Sequence, residues 1–135
     1  MITSKVIYQG DLRTTCIHER SQAEIITDAP LDNHGKGEAF SPTDLTATSL
    51  ATCMLTVMGI HAKSREIGIE GSIAEVTKVM AENPRRIAEI HVDIIILNQM
   101  LNEKETHLLE HIGLNCPVAK SLHPDIKQVV RFSYQ

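Results

Sequence analysis

Residues 41–66 read SPTDLTATSLATCMLTVMGIHAKSRE, and the reading of this stretch decides the fold. Ser41 suits a helix N-cap, Pro42 suits the first helical position, and Asp44 stands where a carboxylate returns a bond to the cap. The pattern predicts a helix running to about Glu66, with Gly68 ending it. Its apolar residues, among them Leu45, Leu50, Cys53, Met54, Val57 and Ile60, point in nearly every direction around the axis. A helix that is apolar all round must be covered on all sides, and one small domain can hardly do that alone. The expectation is a homodimer that packs this helix against its mate. Thr46, Thr48, Ser49, Thr52 and Thr56 interrupt the apolar run, so the helix is expected to fall short of a membrane span.

Outward from the helix, the pattern turns to strands. Ser4 to Gln9 and Leu12 to Glu19 flank Gly10-Asp11, a hairpin signal, and Glu24 to Thr27 reads as a third strand. Residues 28–40 carry Pro30, Asn33, Gly35 and Gly37 and read as a loop. Beyond the helix, Ile69 to Met80 and Ile87 to Leu97 read as strands joined by Glu82-Asn83-Pro84-Arg85. Asn102 to Glu105 opens a second helix with a capping pattern, and Gly113 is expected to stop it. A short third helix follows Asn115-Cys116-Pro117, and Lys127 to Ser133 is a last strand. The order β-β-β-α-β-β-α-α-β predicts a single α+β domain over residues 1–135, with helices packed on antiparallel sheets.

Composition narrows the function. The 135 residues hold no Trp and only Tyr8, Phe40, Phe132 and Tyr134 as aromatics, so the core is aliphatic. Net charge is −4 with no basic block, which argues against a nucleic-acid partner, since phosphate binding needs clustered Lys and Arg. Residues 1–10 lack the apolar core and cleavage site of a signal peptide, and no membrane partner is expected. A cytoplasmic location follows by elimination. Cys16, Cys53 and Cys116 are too few for a disulfide framework and read instead as buried, catalytic or redox-active thiols.

Of the three, Cys116 has the strongest local case. It precedes Pro117 at a predicted helix start, with Asn115 as the expected cap, where backbone N–H groups and the helix dipole favour a thiolate. Cys53 lies mid-helix, where a buried core cysteine is the plainer reading. Cys16 reads as strand packing. His107-Leu108-Leu109-Glu110-His111 fits the H-x-x-E-H zinc pattern, but only His123 and Asp125 lie downstream as a third ligand. These histidines read better as a solvated helix face, so no metal and no cofactor are expected.

Ser41 to Met54 resembles the first cysteine motif of the OsmC/Ohr family, and Asn115 to Leu122 (Asn-Cys-Pro-Val-Ala-Lys-Ser-Leu) resembles its second. Thr27-Asp28-Ala29-Pro30 with the Gly-containing loop after it is similar to the OsmC-like branch. The resemblance implies an intertwined homodimer with the central helix buried, acting as a thiol-dependent peroxidase on organic hydroperoxides. In that scheme Cys53 attacks the peroxide, Cys116 resolves the sulfenic acid as a disulfide, and a dithiol reductant restores both thiols. The local argument favours Cys116 as nucleophile; the resemblance reverses the roles. It also implies an Arg that stabilises the thiolate, for which Arg13 is the choice and Arg20 the fallback, and a Glu that orients the Arg. The usual place of that Glu falls on Thr43, with Asp44 adjacent as the available acid. Leu50, Met54, Leu55, Val57 and Met58 around Cys53 suggest an apolar surface suited to an organic peroxide. A second reading is a non-catalytic ligand-binding or structural dimer of the same fold, with incidental cysteines.

Overall fold

The computed structural model describes residues 1–135. The elements follow as β1 (Ser4–Gly10), β2 (Arg13–His18), β3 (Glu24–Asp28), α1 (Pro42–Ser64), β4 (Ile73–Ala81), β5 (Arg86–Ile96), α2 (Glu103–Leu114), α3 (Pro117–Ser121) and β6 (Lys127–Tyr134). The chain forms two compact units, Met1–Thr46 and Ala47–Gln135. The architecture is α+β, with two small sheets and one long helix.

In the first unit, β1, β2 and β3 form an antiparallel sheet in that order. The turn between β1 and β2 places Gly10, Asp11 and Leu12 at positive φ. The sheet carries exposed apolar residues on both faces: Val6, Tyr8 and Ile25 on one, Ile7 and Ile26 on the other. The loop after β3 folds back on itself, with Gly35 N–H donating to Pro30 and Gly37 N–H to Ala29. Gly35 is required here, because a Cβ would lie 1.7 Å from the Ala29 carbonyl oxygen.

α1 begins as expected. Ser41 Oγ accepts from Asp44 N–H at 3.0 Å, and Asp44 Oδ2 accepts from Ser41 N–H at 2.9 Å, a closed capping box. The helix ends at Ser64, two residues short of the expected Glu66, and Gly68 is not the residue that closes it. Ile67 N–H donates to Ala62 and Glu66 N–H to Lys63, a Schellman closure in which Glu66, at φ 56°, takes the left-handed position. Against the expectation of a stretch too short for a bilayer, α1 is long and apolar enough to cross a membrane by length and composition. The difference is one of length and average composition: α1 runs 23 residues from Pro42 to Ser64 and stays apolar on average across its threonines, of which Thr46, Thr52 and Thr56 donate their hydroxyls to carbonyls of α1 itself. Its Ala47, Leu50, Ala51, Met54, Met58 and Ala62 nonetheless belong to a protein core.

In the second unit that core is completed by Ile90, Val92, Ile94 and Ile96, the alternate residues of β5, and by Leu109 of α2. β5 is the central strand of a sheet ordered β4-β5-β6. β4 and β5 are antiparallel, but β5 and β6 are parallel, which corrects the expectation of purely antiparallel sheets. The physical cause is the connection: α2 and α3 carry the chain back across the sheet, the crossover that a parallel pair needs. α2 starts on a capping box between Asn102 and Glu105. Gly113 does not stop α2, which runs to Leu114; instead a Cβ there would lie 2.9 Å from Met58 Sδ, so its role is close packing.

Candidate functional site

The second unit brings two of the sequence-predicted residues together. Cys53 lies half-buried on α1 and Cys116 is buried; both are free thiols, and Cys53 is near enough to act on the ionisation of Cys116. Cys116 is itself the N-cap of α3, a role assigned above to Asn115; Asn115 instead closes the C-terminus of α2. The Cys116 sulfur accepts from Ala119 N–H at 3.4 Å, which favours the thiolate as anticipated. Burial outweighs that bond, and Cys53 adds to it, so the Cys116 thiol is pushed up from its ordinary value. The local argument for Cys116 as the activated nucleophile is thereby corrected: desolvation of a buried thiol exceeds the help from a five-residue helix. The pair comprises one more accessible thiol and one that holds its proton, a suitable arrangement for two-electron oxidation to a disulfide.

Leu50, Met54 and Met58 do not form a surface beside Cys53. They are wholly buried in the core, while Leu55 and Val57 are half-buried. A cleft of about 620 Å³ in this unit, lined by Leu55, Gly59, Ala62, Ile67 and Ile69 among others, includes neither cysteine.

In the first unit, Arg13 is the centre of an ionic cluster. Its Nε donates to Asp28 Oδ1 at 2.7 Å and its Nη2 to Asp28 Oδ2 at 2.8 Å, a bidentate pair. Nη2 also donates to Glu38 Oε2 at 3.0 Å. Asp28 is 1% exposed and its carboxyl is held below its ordinary range, chiefly by the Arg13 hydrogen bonds; the same bonds raise Arg13. Sequence reasoning missed both carboxylates. The available signal was the acidic residue ending a strand beside Ala29-Pro30. Arg20, the fallback, is exposed in the turn after β2. Asp44 is engaged in the α1 capping box, and the Thr43 hydroxyl lies 3.2 Å from Ser41 Oγ.

Cys16 is half-buried on β2 with its sulfur 3.8 Å from Thr14 Oγ1. On α2, His107 and His111 are exposed and Glu110 accepts from the Tyr134 hydroxyl at 2.7 Å. No group of three His, Cys, Asp or Glu side chains is placed to hold a metal ion.

Comparison with known proteins gives a consistent picture. The family model described as OsmC-like protein matches residues 35–130. A crystal structure from Psychrobacter arcticus 273-4, proposed by its name to be an osmotic stress induced and detoxification response protein, is 62% identical with TM-score 0.94; the match covers 98% of this chain and 96% of that one. An OsmC-like protein of Mycoplasma pneumoniae shares the fold at 22% identity and TM-score 0.79, over 97% of this chain and 94% of that one. An organic hydroperoxide resistance protein OsmC of Legionella pneumophila does so at 17% and 0.75, over 98% of each chain. None of the curated proteins matches the chain by sequence.

Proposed function

The chain belongs to the OsmC-like family, and on that premise we propose that it is a thiol-dependent peroxidase that reduces organic hydroperoxides. The observation that carries the reading is the Cys53–Cys116 pair, two free and interacting thiols, Cys53 half-buried and Cys116 kept protonated by burial. The Cys53 thiolate attacks the terminal peroxide oxygen, the O–O bond breaks, and the alkoxide leaves as the alcohol after taking a proton. Cys53 becomes a sulfenic acid. The Cys116 sulfur attacks it, water leaves, and a disulfide forms; an external dithiol then reduces that disulfide by exchange and is itself oxidised. Arg13 stabilises the Cys53 thiolate in this scheme, and Asp44 starts the helix that carries Cys53.

Two observations support a homodimer. The first unit exposes apolar residues on both faces of its sheet, with Tyr8 65% exposed. Thr52, Thr56 and Ile60 form an exposed stripe on α1 whose hydroxyls are already satisfied within the helix. Free thiols fit a reducing compartment, and we place the protein in the cytoplasm.

The test is thiol loss after stoichiometric cumene hydroperoxide. Wild type is expected to lose two thiols rapidly, Cys53→Ser none, and Cys116→Ser one, stalling as a sulfenic acid. If all three are inert, the peroxidase reading fails and a binding role replaces it.

A further inference from the structure

We infer that Asp28 is the positioning residue for Arg13, holding the guanidinium by one edge so that its Nη1 remains available to an anion. This rests on the reading above, in which Arg13 acts on the Cys53 thiolate. Arg13 and Asp28 are register partners across β2 and β3. The backbone secures the acid on both sides: Asp28 N–H donates to Phe40 and Ala29 N–H to Leu12. Asp28 Oδ2 also accepts from Glu38 N–H at 3.1 Å. The carboxylate therefore takes three N–H bonds in a site almost closed to water, where it can neither rotate nor drift.

A guanidinium presents five N–H groups in a rigid plane. Asp28 and Glu38 use Nε and Nη2, while Nη1 makes no hydrogen bond within the chain. Arg13 is 29% exposed, in keeping with one edge docked and the other open. Glu38 is 66% exposed and holds Nη2 by a single bond, so it does not fix the plane. The helix acid Asp44 has its own task in the capping box. Thr43 bears a hydroxyl, which cannot make a bidentate bond. Asp28, from the strand opposite Arg13, supplies the orientation that an acid on α1 was expected to supply.

The sign of a charge effect tests this. Removing a carboxylate from the surroundings of a thiolate, by itself, makes the thiol easier to ionise. Losing the orientation of Arg13 makes it harder. The experiment follows alkylation of Cys53 by iodoacetamide against pH in a Cys116→Ser background, with cumene hydroperoxide turnover measured separately in the full chain. Asp28→Asn is expected to raise the alkylation midpoint by about one unit and to lower the peroxide rate near neutrality about tenfold. Arg13→Gln should raise the midpoint alike, and the double variant should add nothing to it. Asp28→Glu keeps the charge but displaces the fork; it should raise the midpoint by less, and it carries the test if Asp28→Asn does not fold. Asp93→Asn, which breaks the comparable bidentate pair with Arg131 in the other sheet, should change neither readout. An unchanged or lowered midpoint in the Asp28 variants, or in Arg13→Gln, overturns the proposal, as does a rise in Asp44→Asn that the Asp28 variants lack. If wild type does not consume peroxide, the activity reading fails separately, because the alkylation midpoints still decide what Asp28 does.

Discussion

Replacing Gly35 by alanine perturbs the loop that carries Glu38 back to Asp28, and the structure fixes the scale of the effect. The new Cβ would lie 1.7 Å from the Ala29 carbonyl oxygen, 2.1 Å from its carbon and 2.6 Å from its Cα. All three are backbone atoms, so no side chain can turn away. An ordinary carbon–oxygen contact is about 3.3 Å, so the segments must part by about 1.5 Å. The least costly route is to open the loop, which breaks the bonds from Gly35 N–H to Pro30 (3.0 Å) and from Gly37 N–H to Ala29 (3.2 Å). At roughly 1 kcal/mol each these amount to about 2 kcal/mol. The stiffer unfolded chain of the alanine variant offsets about 0.5 kcal/mol. The net loss of about 1.5 kcal/mol corresponds to a melting temperature lower by about 5 °C for a chain of this size. Urea unfolding of Gly35→Ala and Gly68→Ala measures it. At Gly68 a Cβ meets only the flexible end of Glu70, at 3.1 Å, and little change is expected. A Gly35→Ala midpoint equal to wild type would refute the reasoning, because it would mean that the loop does not close on Ala29.

Three further outcomes follow from the same geometry. Because Arg13 depresses the Asp28 carboxyl, its contribution to stability is complete above pH about 4 and is lost as pH falls through the folded-state value; Asp28→Asn should flatten the stability profile there, and unfolding curves between about pH 5 and pH 2 measure this. Burial raises Cys116, so at neutral pH iodoacetamide should label Cys53 first, and peptide mapping that finds Cys116 labelled faster would contradict the placement. Asn102→Ala removes the side-chain acceptor of the α2 capping box and should cost about 1 kcal/mol in urea unfolding, with Cys53 reactivity unchanged.

The elements most legible in the sequence were those specified by neighbours along the chain. The Ser41–Asp44 capping box appears as read, because its partners are three residues apart. The strand read over Ile87 to Leu97 also appears, as β5, with Ile90, Val92, Ile94 and Ile96 on its buried face. Terminations were less legible. Glu66 rather than Gly68 ends α1, since a Schellman closure tolerates a left-handed residue with a side chain when its carbonyl bonds form. Gly113 reads as a stop signal, yet it is the contact point of α2 with Met58.

What the sequence by itself determined is local: strand and helix order, the caps, the aliphatic core, and the two cysteine motifs that identify the family. What only the tertiary structure decided is which distant groups meet. The parallel pairing of β5 with β6 depends on where α2 and α3 return the chain. Burial, which no local pattern reports, keeps Cys116 protonated against the pull of its helix start. Arg13 and Asp28 stand 15 residues apart in sequence and become a bidentate pair only when β2 and β3 align in register, because hydrogen-bond geometry is set by folding and not by separation along the chain.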